Sequence, residues 1–166
     1  MRTELMGVFK FSSQSDETSR GNPDQRKFAT SEIQGHGKGE RILVVDDTPS
    51  WLWIARKILS AAGYQVQVCE NPPDALLLLS QDPSQIDLVI TDLNMPGLNG
   101  FELAAELLKI NASLPIVLTS AERVEMTPTK LQTMGIRSFL TKPWRRERLF
   151  SAIQQALAHA RSDETN

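Results

Sequence analysis

The sequence predicts an α/β fold in which helices cover both faces of a doubly wound, five-stranded parallel sheet. Short apolar strands alternate with helical segments over about 120 residues, and parallel strands need such crossover connections. Most of these strands are apolar along their length, as expected when both faces of a sheet are buried. Because crossover connections are right-handed, a doubly wound sheet is the simplest closure.

The strands are runs of β-branched and other apolar residues bounded by turn residues. They are ILVVDD from residue 42, YQVQVCE from residue 64, IDLVIT from residue 86, LPIVLTS from residue 114, and residues 136–140. Each is short enough for a strand and is followed by a helical pattern. The sequence therefore predicts five β-α units.

Capping residues define the helices between the strands. Asn71 before Pro72 and Thr127 before Pro128 are typical helix starts, and Gly63 is a typical helix end. The helical segments are 50–62, the stretch after Pro72, NGFELAAELLKI from residue 99, the short stretch from Pro128 to Met134, and 145–159. The last is amphipathic and closes the fold.

The folded unit is predicted to be residues 40–161. Residues 1–39 are predicted to be a flexible arm and linker, because from Phe11 onward they are rich in Ser, Gln, Asn, Asp and Gly. Such a composition cannot offset the entropy of ordering by burying apolar surface. His36 in this linker is expected to be solvated, and residues 162–166 to be a short tail.

Composition excludes several classes of function. A formal net charge of −2 argues against a nucleic-acid partner. The absence of any run of about 18 apolar residues argues against membrane insertion. Cys69 is the single cysteine, so no internal disulfide can form, and a reducing compartment fits. We therefore expect a cytoplasmic protein.

Three aspartates end two strands that would be neighbours in the flavodoxin-like order 2-1-3-4-5. Asp46 and Asp47 end the first strand and Asp92 ends the third. Ligands bind at this edge of such sheets, and charges about 4 Å apart repel by roughly 4 kcal/mol at a dielectric of about 20. The cluster should therefore bind a proton or a cation. Hard oxygen ligands in a partly open site favour Mg²⁺.

Two more polar residues belong to the same edge. Ser120 ends the fourth strand and Lys142 follows the fifth. An ammonium and a hydroxyl can each bind one oxygen of a phosphoryl group. With Asp92 as nucleophile, the set suits in-line phosphoryl transfer to a carboxylate.

Four segments in order resemble the signatures of response-regulator receiver domains, including the chemotaxis response regulator. They are VVDD, TDLNMPGLNGFEL, LPIVLTSA and FLTKPW, and the resemblance covers about residues 40–160. It implies that Asp92 is the phosphoacceptor and that Asp47 and Asp92 ligate Mg²⁺ directly. Asp46 would act mainly through water, and Asn94 would supply its backbone carbonyl.

The resemblance also implies a signalling switch. Ser120, five residues after Pro115, takes the switch-hydroxyl position in preference to Thr119, with Lys142 as the lysine and Phe139 as the switch aromatic. The phosphodonor would be a histidine kinase or a histidine phosphotransfer protein. The face formed by the fourth helix, fifth strand and fifth helix would respond. The chain would catalyse only its own phosphorylation and dephosphorylation.

Four consecutive apolar residues open the first helix and cannot all face one core. The predicted buried stripe consists of Trp51, Ile54, Ala55, Ile58, Leu59 and Ala62. That leaves Leu52 and Trp53 exposed, which suggests docking of the histidine-bearing partner. Burial under the N-terminal arm or in a dimer is an equal alternative.

Other hypotheses stay open. One alternative is a binding module that has the receiver fold but is held in one conformation and is never phosphorylated. An aspartyl phosphatase of the haloacid dehalogenase kind needs a second aspartate where this chain has Asn94. Because the sequence ends soon after the last predicted helix, we expect no output domain. Both a stand-alone regulator and part of a hybrid histidine kinase fit.

Overall fold

The computed structural model describes residues 36–163 and contains a five-stranded parallel sheet of order β2-β1-β3-β4-β5. In chain order the elements are β1 (Arg41–Val45), α1 (Pro49–Ala61), β2 (Gln65–Cys69), α2 (Pro72–Gln81), β3 (Leu88–Asp92), α3 (Gly100–Ile110), β4 (Ile116–Ser120), α4 (Pro128–Thr133), β5 (Ser138–Thr141) and α5 (Arg146–Asp163). The predicted doubly wound fold is confirmed. The predicted arm up to residue 35, and residues 164–166 of the predicted tail, lie outside the described residues.

The side chains of the strands divide between two cores, one on each face of the sheet. Ile42 and Val44 of β1 belong to the first core, which α1 and α5 cover. Leu43 and Val45 belong to the second, which α2 and α3 cover. Successive strand residues point to opposite faces, so an apolar run is needed to fill both cores.

The predicted helix starts are confirmed by their caps. The side chain of Asn71 accepts a hydrogen bond from Asp74 N, and that of Thr127 accepts one from Lys130 N. Asn99 and Glu102 form a reciprocal capping box at the start of α3. The α5 helix continues to Asp163, beyond the predicted boundary at residue 161.

The fifth strand begins later than predicted. Ile136 N donates to Leu131 O at 2.9 Å, which closes the C-terminus of α4. Ile136 therefore terminates the helix and is not a strand residue. Across the described residues, no helix has the length and apolarity needed to cross a membrane.

The buried face of α1 differs from the prediction. Leu52 is only 4% exposed and lies in the first core with Ala55 and Leu59, whereas Trp51 is only half-buried. The prediction that Leu52 is exposed is therefore wrong, while Trp53 is 63% exposed as predicted. The sequence offers two apolar stripes about 100° apart, and periodicity alone cannot tell which one faces the sheet.

The linker predicted at residues 36–39 is in fact packed on the domain. Gly37 N donates to Ala62 O at 2.8 Å, and Gly39 N donates to Gly63 O at 3.2 Å. The His36 ring stacks on Phe150 with centroids 4.3 Å apart, so it is not simply solvated. Backbone hydrogen bonds hold this segment, and composition does not reveal them.

Gly37 is needed for this packing. A Cβ at this position would lie 2.7 Å from the carbonyl carbon of Gly63 and 2.8 Å from Cδ1 of Tyr64. No side chain therefore fits without displacing the segment. Tyr64 is buried beneath it, and its hydroxyl donates to His36 O at 3.1 Å.

We predict that the one tyrosine of the chain reports this packing. Burial, and then the charge of Glu40, raise the pKa of Tyr64 to about 12. The folded pKa exceeds the unfolded value of 10.0. The contribution of the buried neutral phenol to the free energy of unfolding is therefore fully present below pH 10 and is lost as the pH rises toward 12. Ultraviolet absorbance titration measures this ionisation directly.

Gly37→Ala should lower the pKa of Tyr64 toward 10, because displacing the segment hydrates the phenol. Gly97→Ala is the control, since a Cβ at Gly97 meets nothing within 4 Å, although Gly97, unlike Gly37, has a positive φ of 84°. The same titration of both variants checks this. An unchanged pKa in Gly37→Ala would show that the segment does not bury Tyr64.

Candidate functional site

The carboxyl ends of the strands bring the predicted site residues to one edge of the sheet. Asp92 is the last residue of β3 and Ser120 the last of β4, while Asp46 and Lys142 each directly follow a strand. Lys142 N donates to Ser120 O at 2.7 Å, and Asp46 N donates to Cys69 O at 3.2 Å. These bonds continue the parallel ladders past the strand ends and so fix the backbone of the site.

Three of these side chains form a buried ionic cluster, in which one ammonium pairs with two carboxylates. Lys142 Nζ lies 2.5 Å from Asp46 Oδ2 and 2.5 Å from Asp92 Oδ1. The three residues are buried, with exposures of 1% for Asp46, 6% for Asp92 and 7% for Lys142. One ammonium therefore offsets the repulsion between two carboxylates in a site of low dielectric.

The remaining carboxylate oxygens are oriented by backbone amides. Asn94 N donates to Asp92 Oδ2 at 2.9 Å, and Thr48 N donates to Asp46 Oδ1 at 3.0 Å. Burial raises the pKa of Asp46, and the hydrogen bond and charge of Lys142 oppose that rise. Both aspartates thus have fixed carboxylate planes before any ligand binds.

Asp47 is not part of this ion pair. It is exposed, and Thr48 Oγ1 donates to its Oδ1 at 3.4 Å. Among residues 36–163, no group of three or more acidic, histidine or cysteine side chains is arranged to hold a metal ion. The carboxylates of Asp46 and Asp92 are thus joined through Lys142, and the convergence of Asp47 with them stays a prediction.

The donor types at this edge nevertheless fit Mg²⁺. Asp46 and Asp92 supply buried carboxylates, and Asp47, next to Asp46 in the chain, supplies an exposed one. Hard oxygen ligands of this kind bind Mg²⁺ together with water and phosphate oxygens. Ligation by these residues and by the Asn94 carbonyl stays a prediction.

The two adjacent hydroxyls at the end of β4 have different partners. Thr119 Oγ1 donates to Thr91 O at 3.2 Å, so this hydroxyl is engaged inside the sheet. Ser120 Oγ accepts from Glu122 N at 3.0 Å, at the start of the following loop. The Thr119 hydroxyl is thus occupied within the sheet, and the role of Ser120 at the site stays a prediction.

Phe139 lies in β5, away from the ion pair. Its ring is half-buried, packs against the second core, and borders a groove of about 520 Å³ with Leu131 and Ile136. The groove leaves space beside the ring. Its role as a switch stays a prediction.

Two tryptophans beside the site were not predicted as functional. The ring centroid of Trp51 lies 5.3 Å from Lys142 Nζ, and the Trp51 and Trp144 centroids are 5.4 Å apart. Trp51 was predicted to lie in the core stripe, and no role was predicted for Trp144. Their positions four residues after Asp47 and two after Lys142 were the available signal.

Comparisons of sequence and of fold match the chain to one protein family. The family model for the response regulator receiver domain matches residues 42–154. A two-component response regulator of Oryza sativa subsp. indica is 36% identical over 128 residues, which are 77% of this chain and 20% of that protein. The transcriptional regulatory protein GlrR of Escherichia coli is 33% identical over 120 residues, 72% of this chain and 27% of that protein.

A solved structure shows the same fold. The crystal structure of a response regulator receiver domain protein from Clostridium thermocellum superimposes with a TM-score of 0.68 at 25% identity, covering 74% of this chain and 97% of that chain. The curated relatives are much longer, because the chain spans 20% and 27% of the two compared above.

We predict that Lys142→Met destabilises the fold strongly. Removing the ammonium leaves two buried carboxylates without their counter-ion, and breaking a buried pair in this way costs about 3–5 kcal/mol. Urea denaturation at pH 7 without divalent cations measures the change.

Lys109→Met is the matched control, because Lys109 pairs with Glu106 at 2.7 Å but its side chain is 70% exposed. Loss of this exposed ion pair should lower the free energy of unfolding by under about 1 kcal/mol. Equal effects of the two substitutions would contradict the importance of the buried pair.

Proposed function

This chain belongs to the response regulator receiver domain family, and we propose that it accepts a phosphoryl group on Asp92 from a phosphohistidine. Receiver domains are signalling domains of two-component systems, and aspartyl phosphorylation with Mg²⁺ is general for the family. The donor would be a histidine kinase or a histidine phosphotransfer protein. The observation that carries the proposal is the Asp92 carboxylate, oriented by Lys142 and by Asn94 N.

The oriented carboxylate is suited to attack on phosphorus. One Asp92 oxygen forms a bond to phosphorus as the bond from phosphorus to the donor imidazole nitrogen breaks. The electron pair of that bond stays on nitrogen, which leaves as neutral imidazole when its second nitrogen carries a proton. Lys142 Nζ, already at Asp92 Oδ1, then pairs with a phosphoryl oxygen and offsets its charge.

The residues that would hold Mg²⁺ are Asp46, Asp47, Asp92 and the backbone carbonyl of Asn94. When bound, the cation neutralises charge on the phosphoryl oxygens. The protein residues already provide hard oxygen donors at the edge where the phosphoryl group would arrive. Of the three carboxylates, that of Asp47 is the exposed one.

Phosphorylation would be read out through Ser120 and Phe139. The Ser120 hydroxyl would donate to a phosphoryl oxygen, and Phe139 would move within the groove of about 520 Å³ beside it. The α4 helix, which has only 6 residues and none buried, is weakly packed and can shift at low cost. The α4-β5-α5 face is then the bistable element that a partner distinguishes.

Trp53 is proposed as part of the surface that receives the donor. It is 63% exposed on α1, with Lys57 Nζ 5.8 Å from its ring centroid. It borders a hollow of about 450 Å³ together with Arg56 and Ser60. Large exposed aromatic residues are common anchors of interfaces. Leu52 is excluded from this surface by its burial.

We predict that acetyl phosphate with Mg²⁺ phosphorylates the chain and that Asp92→Asn abolishes the reaction, because the nucleophile is lost. Phosphate-affinity electrophoresis measures the product. Asp82→Asn is the control, since Asp82 lies at the C-terminus of α2 and bonds to Ser84. Absence of product in the wild-type chain, or product in Asp92→Asn, would refute the proposed function.

We predict that Trp53→Gln slows transfer from a phosphorylated histidine phosphotransfer protein by about tenfold, or about 1.4 kcal/mol. Reaction with acetyl phosphate should be unaffected, because a small donor does not use the docking surface. Leu77→Gln, which changes an apolar residue 59% exposed on α2, is the matched control. Equal loss with both donors would contradict a docking role for Trp53.

A further inference from the structure

Trp51 has an unexplained position in the fold. It lies in the first turn of α1 and is half-buried, but it is not among the residues packed against either hydrophobic core. Its ring contacts are with Lys142 Nζ at 5.3 Å and with Trp144 at 5.4 Å. The core therefore does not account for its position, whereas the charged site does.

The Lys142 ammonium makes two hydrogen bonds and one aromatic contact. Its ammonium has three N–H donors, of which two serve Asp46 and Asp92. The side chain is only 3% exposed, so water contributes little. The face of an indole within about 6 Å attracts a cation through its quadrupole, and Trp51 is within that distance.

Trp144 holds the Trp51 ring. It packs against the first core, and its ring is tilted by 54° to that of Trp51, an arrangement that aromatic pairs favour. Its Nε1 is buried and has no hydrogen-bond partner among the described residues. Ring packing, and not a hydrogen bond, therefore sets the orientation of Trp144.

We propose that Trp51 is a positioning residue for phosphoryl transfer, which holds the Lys142 ammonium between Asp46 and Asp92 by a cation–π contact, with Trp144 as its support. The inference rests on the proposed function, because it acts through Lys142. When a phosphoryl group reaches Asp92, the ammonium exchanges a carboxylate oxygen for a phosphoryl oxygen. The attraction of the ring depends weakly on the direction of the N–H bonds, so it persists through this exchange.

The first experiment measures the rate of phosphorylation by acetyl phosphate for position-51 variants of the full chain. Trp51→Leu should react about 2- to 5-fold more slowly, the factor that corresponds to a cation–π contact of about 0.5–1 kcal/mol. Trp51→Phe, which keeps an aromatic face, should lie between Trp51→Leu and the wild-type chain.

The second experiment separates electrostatics from shape. Tryptophan with one, two or three ring fluorines, inserted at position 51, keeps its shape but loses quadrupole strength. The rate should fall steadily with each fluorine. Fluorinated phenylalanine at Phe101, which packs against the opposite core, should leave the rate unchanged. The fluorine series also keeps the inference testable if Trp51→Leu fails to fold.

The third experiment reads the contact without phosphorylation. In a carbon-13 correlation spectrum, the ε-methylene protons of Lys142 should resonate upfield of those of other lysines, because of the Trp51 ring current. Trp51→Leu should return them to the ordinary position. An ordinary shift in the wild-type chain would overturn the inference.

The outcomes distinguish the two proposals. If the wild-type chain is not phosphorylated, the proposed function fails, whatever the spectrum shows. If it is phosphorylated and the rate is the same for all fluorinated rings, the inference about Trp51 fails while the proposed function stands.

Discussion

The ion pair of Lys142 with Asp46 and Asp92 is the interaction on which the rest of the site depends. Two buried carboxylates at the ends of adjacent strands repel each other, and the shared ammonium offsets that repulsion. The parallel pairing of β1 with β3 brings the two carboxylates together. The hydrogen bond from Lys142 N to Ser120 O brings the ammonium to them. The sheet thus holds together two carboxylates that would otherwise repel each other, and the proposed phosphoryl transfer depends on this arrangement.

The fold combines a fully buried pair of site strands with a more loosely packed face. Strands β3 and β4 are buried along their whole length, so the positions of Asp92 and Ser120 vary little. The α4 helix has no buried residue, and Phe139 is only half-buried beside a groove. Under the proposed function, a change of charge at Asp92 would alter the packing of this face without disturbing the sheet.

Periodicity and caps were enough to predict most elements, but they failed where two arrangements have the same pattern. For α1, the stripes containing Trp51 and Leu52 are both apolar, and the surfaces of the sheet and α5 decide between them. At residues 36–39, the absence of apolar side chains hid a segment held by backbone hydrogen bonds. In the site, Asp47 is adjacent in sequence to Asp46 but remains exposed.

Hydrophobic periodicity and capping residues predicted five strands alternating with helices, and the receiver-domain motifs predicted the strand order and put Asp92, Ser120 and Lys142 at the ends of strands. Which charged groups meet, and which aromatic ring lies beside Lys142, depends on tertiary packing. Those contacts join residues far apart in the chain, and their distances depend on how the helices rotate and pack on the sheet. No local pattern encodes that rotation.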